Sequence, residues 1–263
     1  MKITVCVKPA PDPKRWDSIQ LDPVTKALRR EGIPSILPPL DKRALEEGLR
    51  LKEKHGGTVR VFSMAPPSGR ENLMEALAMG ADEAFLLSDR SFAGSDTWAT
   101  SLVLARGIQK SGPFDLVICG EWSLDGSTGH VGAQIAEFLG IPNVGRVVAV
   151  EGIDDGCMRT RSLIERGIRV METSLPALIT VTRDINQPRF TSLMGVMEAE
   201  SKPCRILSAS ELGIPAQDTG FSGSPTQTGD VFMPDMTRRA EILDGEPEDM
   251  VKEIVRRIRQ AIG

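Results

Sequence analysis

The chain has no tyrosine, and aromatic residues make up only 4% of its 263 positions, so its core has to be built from Val, Ile, Leu, Ala and Met. Histidine is almost as scarce. His55 sits beside a Gly-Gly helix end, and His130 lies in a glycine-rich loop where it reads as a hydrogen-bond donor rather than a general base. No histidine-centred catalytic set is therefore expected. The four cysteines, Cys6, Cys119, Cys157 and Cys204, are widely spaced and form no CxxC pair, which argues against a thiolate metal site or a disulfide framework. Cys6 and Cys119 fall in apolar runs and read as small buried hydrophobes. A net charge of −4 argues against a nucleic-acid partner. No apolar stretch approaches the ~20 residues needed to cross a bilayer, and no basic segment followed by an apolar one opens the chain. The expectation is a soluble, cytoplasmic, bacterial-type protein of a reducing compartment. There is no tandem repeat, and the first strand is followed by PAPDP instead of the SGGxDS type of phosphate loop that an ATP-dependent ligase would carry.

What is present is a rhythm. Residues 2–7 form a short β-branched run, followed by a Pro-stiffened loop holding Trp16, which is either a packing residue or a ring set against a flat ligand. Asp41 looks like the N-cap of a helix whose apolar stripe includes Ala44, Leu45, Leu49 and Leu51 and which ends at His55-Gly-Gly. A strand over 58–64, a helix from Ser68 to Gly80, a strand over 83–87, a helix over 96–110 capped by Ser95 or Asp96, and a strand over 114–119 follow. Strands alternating with helices of this length predict an open, parallel, doubly wound α/β sheet.

The strand over 114–119 runs into GEWSLDGSTGHVG, residues 120–132, and then an amphipathic run over 134–139. A glycine-rich loop between a buried strand and a helix start is where α/β proteins bind phosphates, because glycine permits close backbone approach and the first helical N–H groups are unpaired. Gly126, Gly129 and Gly132 supply the approach, with Ser127 and Thr128 as hydroxyl donors. The plainer reading is a turn in which Ser127 or Thr128 caps the helix. Asp125 either fixes the loop backbone or meets a ribose hydroxyl.

After residue 139 the rhythm changes to β-like runs over 144–150, 158–163, 166–173 and 177–182, the middle pair reading as a hairpin or edge addition. Residues 183–203 read as a polar loop carrying Leu193, Met194, Val196 and Met197, either satellite core or an adaptable partner-binding surface. Residues 208–247 resemble an extended arm, and 247–262 an amphipathic terminal helix with Met250, Ile254, Ile258 and Ile262 on one stripe. The expected division is an α/β domain over 1–207 and an arm plus helix over 208–263.

Five segments together resemble the β subunit of electron-transfer flavoproteins: ITVCVKPAPD, LPPLDKRALEEGLRLKE, ENLMEALAMGADEAFLL, GEWSLDGSTGHVGAQIAEFLG and LPALITVTRDINQPRFTSLMGVMEAESKP. The last is the most specific, with LPA before a V-T strand, then N-x-P-R and L-x-x-x-M. The resemblance implies a fold of the adenine-nucleotide-binding (alpha-hydrolase-like) type and a heterodimer with an alpha subunit that holds most of the FAD. It implies an AMP in the β subunit, or a second FAD in electron-bifurcating members. By matching position the nucleotide contacts are Cys6 and Lys8, then Pro38, Pro39, Leu40 and Asp41, then Met64. The remaining contacts are Asp125, Gly126, Ser127, Thr128, Gly129, His130, Val131 and Gly132 with Gln134. Leu193 matches the leucine with which the family anchors a flavin dehydrogenase, commonly of the acyl-CoA dehydrogenase type, and Met194 and Met197 flank it. The resemblance also implies that electrons pass on to a quinone-linked oxidoreductase and that the subunit does no bond chemistry of its own. The terminal helix is implied to dock on the alpha subunit.

The chain departs from the family in having Pro38-Pro39-Leu40 for Asn-Pro-Phe and His130 for a common Gln. It also has Glu198 and Glu200 where the recognition loop is usually rich in lysine. The competing reading is a non-redox ATP- or AMP-binding module, which would have no need of the segment after residue 183.

Overall fold

The computed structural model describes residues 1–18, 20–21, 28–29, 34–227, 229 and 240–262. They separate into two compact units, Met1–Gly229 and Asp230–Gly263. The first is built on a nine-stranded sheet. Its strands are β1 (Lys2–Cys6), β2 (Thr58–Met64), β3 (Glu83–Leu87), β4 (Leu116–Gly120), β5 (Asn143–Asp154), β6 (Cys157–Ile164), β7 (Gly167–Ser174), β8 (Ala177–Val181) and β9 (Cys204–Leu207). Their order is β7-β6-β5-β8-β4-β1-β2-β3-β9. All neighbours from β5 to β9 in that order run parallel, and only the β5-β6-β7 end is antiparallel. The expected open, doubly wound α/β sheet with a β-rich edge is what forms.

Central strands such as KITVC, LVICG and ALITV read as nearly unbroken apolar runs because helices cover both faces. On one face, Leu45 and Leu49 of α1 (Pro39–His55) and Leu73 and Leu77 of α2 (Arg70–Met79) pack on Ile3, Val5, Val61 and Ile118. On the other, Val103 and Ile108 of α3 (Thr97–Lys110) and Ile135 of α4 (Val131–Leu139) pack on Phe62, Phe85 and Val117. Phe62 and Phe85, from neighbouring strands, stack with ring centres 4.5 Å apart, so two of the few aromatics are spent at one point of this core.

Three local expectations change. Asp41 is not an N-cap. Pro38 precedes α1 and Pro39 opens it, a position that suits a ring with fixed φ and no N–H, which carries Asp41 into the first turn, where it is buried. The segment expected as a loop contains α5 (Leu193–Ala199), capped by Ser192, whose hydroxyl accepts the Gly195 N–H at 3.0 Å. Residues 204–207 are a strand, β9, added to β3 at the sheet edge. A one-turn helix, α6 (Ala209–Leu212), follows with a Ser208–Glu211 capping box. The segment beyond it stays with the sheet unit, since Thr226 donates to the Asp96 carboxylate and Ser224 Oγ accepts the Asp96 N–H at 2.8 Å. Part of the arm expected over 208–247, namely 228 and 230–239, lies outside the described residues, as does the side chain of Trp16. In the second unit, α7 (Pro247–Ile262) spans the expected terminal helix, and its Arg257 bridges Glu241 and Glu253 at 2.7 Å each. Among the described residues no helix is long and apolar enough to cross a membrane.

The N-x-P-R segment is bolted to α1. Asn186 Nδ2 donates to the Arg43 carbonyl and to Glu47 Oε2, both at 3.0 Å. Arg189 Nε donates to Glu46 Oε2 at 2.8 Å, and its Nη1 to Glu53 Oε1 at 2.6 Å. Burial works to raise the Glu46 carboxyl, but the Arg189 and Arg50 guanidiniums outweigh it and hold the group below its usual value. A lowered carboxylate of this kind adds stability above its unfolded pKa and loses it as pH falls. Arg189→Gln is expected to cost about 2 kcal/mol, the worth of hydrogen bonds to a charged group, read as a lower urea midpoint. Amide exchange across 186–199 should quicken at the same time.

Candidate functional site

Strands β1, β2 and β3 step outward in one direction from the sheet centre. The chain then returns through α3 to lay β4 on the other side of β1. Connections leaving β1 and β4 therefore diverge to opposite faces, and a crevice opens beyond their carboxyl ends, the place where open α/β sheets take ligands. A cavity of about 460 Å³ occupies it. Its floor is Cys6, Val7 and Lys8 from the end of β1, Met64 from β2, and Cys119 and Gly120 from β4, with Asp41 of α1 beside them. Asp125, Gly129, Val131 and Gly132 line it from the glycine-rich loop and the start of α4.

Lys8 ties these parts together. Its backbone N–H donates to Asp41 Oδ2 at 2.7 Å, and its Nζ pairs with Asp125 Oδ1 at 2.7 Å. Asp41 is otherwise surrounded by protein, and burial pushes its carboxyl up to about 7 against the pull of the Lys8 N–H and charge. Burial also works to raise Asp125, but the Lys8 bond and the Gly126 N–H at 2.8 Å prevail and hold it low. The Cys119 thiol is pushed up by its hydrogen bond with Cys6 and by burial, so it remains neutral and unreactive.

The loop is shaped from within. Ser127 N–H donates to the Ser123 carbonyl at 3.1 Å, which closes a turn and places Ser127 at a φ of 50°. His130 is the residue before α4, and among the described residues no side chain caps that helix, Ser127 and Thr128 included. Its first-turn N–H groups and dipole therefore face the crevice without a protein cap, a ready anion site. Two glycines are required by packing. A Cβ on Gly120 would stand 2.8 Å from Asp41 Oδ1, and one on Gly132 would stand 2.5 Å from Thr180 Cγ2 of β8. Gly132 thus sets how closely the start of α4 approaches the sheet.

Several of the residues expected to meet a nucleotide stand off the cavity wall. Gly126, Ser127, Thr128 and His130 form the exposed outer turn of the loop. Pro38 is buried ahead of α1, Pro39 is exposed as its first residue, and Leu40 packs toward Gly120. Gln134 Oε1 accepts the Ser101 hydroxyl at 3.1 Å across the α3–α4 contact. The wall that sequence reasoning missed comes from the β3–α3 connection, with Phe92, Gly94, Ser95, Asp96, Thr97 and Thr100. The rule that points to the end of β1 points equally to the end of β3, and Asp96, which accepts the Ala99 N–H at 3.0 Å, marks that connection as a helix start. Away from the cavity, α5 presents Leu193, Met194 and Met197, exposed at 79%, 64% and 64%.

With this geometry in place, comparison with known proteins is decisive. A model described as the electron transfer flavoprotein domain matches residues 25–212. The electron transfer flavoprotein subunit beta of Thermoanaerobacterium thermosaccharolyticum is 44% identical over 98% of both chains. This chain belongs to the electron-transfer flavoprotein family, among its beta subunits. It is also similar to the caffeyl-CoA reductase-Etf complex subunit CarD of Acetobacterium woodii, at 43% identity over 93% of this chain and 92% of that one. Protein FixA of Azotobacter vinelandii is 39% identical over 95% of this chain and 90% of its own. An electron-transfer role is the common property of the family.

Two outcomes test the site's construction. Gly132→Ala should destabilise the subunit by about 1–3 kcal/mol through overpacking on Thr180. Thr180→Ser, which removes Cγ2, should restore most of that loss in the double variant, measured as a double-mutant cycle of urea unfolding. Asp41→Asn tests the buried carboxyl. Folded Asp41 keeps its proton to about 7, whereas an exposed aspartate releases it near ~3.9. The folded chain thus binds more protons between those limits, and its stability falls as pH rises through them. Melting temperatures of the Asp41→Asn variant should lack that decline between about pH 4 and about pH 7.

Proposed function

We propose that this chain holds an adenine nucleotide, AMP or the adenosine half of a second FAD, and serves as the scaffold subunit of an electron shuttle. The observation that carries the reading is the uncapped start of α4 facing a partly apolar cavity at the sheet's switch point. The residues present fit such a ligand. Val7, Met64, Phe92, Leu104 and Val131 offer apolar surface to a flat base, while the first turn of α4 suits a phosphate. Cys6, Lys8, Pro38, Pro39, Leu40, Asp41, Met64, the loop Asp125 to Gly132 and Gln134 are the residues we assign to the nucleotide or to its immediate support.

In this reading the partner is an alpha subunit that carries most of the redox FAD, and α7 with the preceding segment docks on it. The flavin supplies the electron chemistry. This chain's own residues bind, orient and exclude water, and two of its cavity carboxylates, Asp41 and Asp125, are engaged in holding Lys8. Leu193, Met194 and Met197 meet a flavin dehydrogenase, of the acyl-CoA dehydrogenase type, and a quinone-linked oxidoreductase accepts the electrons.

The test is the nucleotide content of the purified heterodimer. Denaturation followed by mass spectrometry should release, per heterodimer, either one FAD and one AMP or two FAD. The second result assigns the extra flavin to this subunit. Release of a single FAD and no other adenine nucleotide refutes the proposed cavity.

A further inference from the structure

The surface around α5 carries more information than its apolar side chains. Leu193, Met194, Val196 and Met197 are each at least half exposed, and the neighbouring Phe190 is 96% exposed. A contiguous apolar patch of this kind marks an interaction site. It is held rigidly at both ends. Arg189 and Asn186 fix its entry to α1, and at its exit Lys202 Nζ donates to the Leu77 carbonyl of α2 at 2.9 Å. Between them α5 lies directly on the end of α2, so that a Cβ added to Gly195 would fall inside contact distance of the Ala78 carbonyl.

This anchoring has an electrostatic consequence. The segment's two inner cations are turned inward, Arg189 onto Glu46 and Glu53 and Lys202 onto a carbonyl. In the groove between α2 and α5, Glu75 is neutralised by Lys42, and Arg70 and Glu200 both line the wall. Glu198 and Glu200 are exposed and take part in no ion pair among the described residues. The face shown outward is therefore an apolar centre with an anionic edge.

We infer that α5 docks on a protein partner that presents an apolar socket rimmed by lysine or arginine. Burial of Leu193 and its neighbours supplies the affinity, and the charged rim supplies steering and choice of partner. Because α5 is preorganised by its two anchors, docking costs little ordering. An anionic lipid surface would be repelled by the same two carboxylates. The inference rests on the reading of α5 as the dehydrogenase-recognition element and deepens it by naming the partner's chemistry.

The experiment uses the heterodimer with its alpha subunit and a flavin dehydrogenase, from the same source, that reduces the parent heterodimer. Glu198→Lys with Glu200→Lys should lower kcat/KM for the heterodimer about tenfold at low ionic strength, as expected for reversed steering charge. The difference should close in high salt, with kcat and nucleotide content unchanged. Leu193→Ala, measured alongside, should lower kcat/KM at every salt concentration. If Leu193→Ala slows reduction while the lysine variant is unchanged or faster, the basic-rimmed partner is overturned and the recognition reading stands. If Leu193→Ala has no effect, both fall.

Discussion

The hydrogen bond from the Lys8 amide to the buried Asp41 carboxyl, 2.7 Å long, is the joint on which the rest of the molecule depends. It fastens the end of the central strand to the first turn of α1, and the same lysine reaches on through Nζ to Asp125 in the glycine-rich loop. One residue thus gathers strand, helix and loop around the cavity. The arrangement is possible only because Gly120, at the end of β4, has no Cβ to contest the space of the Asp41 carboxyl. Removing water from that carboxyl is costly unless it is hydrogen-bonded or protonated, and here both routes are used. The N–H bond is fixed, and the raised pKa lets the group shed its charge.

From that joint α1 runs as a beam to the segment that carries α5. Residues 41 and 53 lie about 18 Å apart along a helix, so one rigid element has the cavity at one end and the Arg189 bridge at the other. The ion pairs along it are not equivalent. Arg159 pairs with Glu151 and Glu172 on an open strand surface, where solvent and side-chain entropy leave little net gain. Glu46 has a buried side chain met by two guanidiniums, so losing either one leaves charge that water cannot fully take up. The Arg189 contact is therefore the one that governs where α5 sits.

Much of this was legible in the residues. LVIC and ALITV announce buried parallel strands, and the glycine-rich run after LVIC announces a helix start at a sheet edge. What was hidden depended on partners distant in sequence. Asp41 has the look of a cap, and only the neighbouring end of β1 reveals that it faces inward. Gly132 resembles a glycine kept free for a ligand, but its constraint is the methyl of Thr180 on another strand. The β3–α3 wall went unread because its residues are ordinary loop formers, brought to the cavity only by the position of β3 in the sheet. The helix α5 is too short for periodicity to declare it, and its stability comes from Ser192 and from the anchors on α1 and α2.

The electrostatics of the cavity also separate holding from reacting. A proton-transfer site needs a group whose pKa is matched to its task and whose lone pair is within reach of a ligand atom. Asp41 is near the right value, but its Oδ2 is engaged with the Lys8 amide and the residue is buried. Asp125 is held low by Lys8, and the thiol of Cys119 is held high by Cys6 and burial. Each of these groups is thus turned toward another part of the protein, as are Asp96, which accepts the Ala99 N–H, and Glu121, which pairs with Arg146, and this stiffens the walls of the cavity. What remains directed outward is neutral or dipolar: the uncapped amides of α4 and apolar side chains. Those features suit holding an anionic, partly apolar ligand.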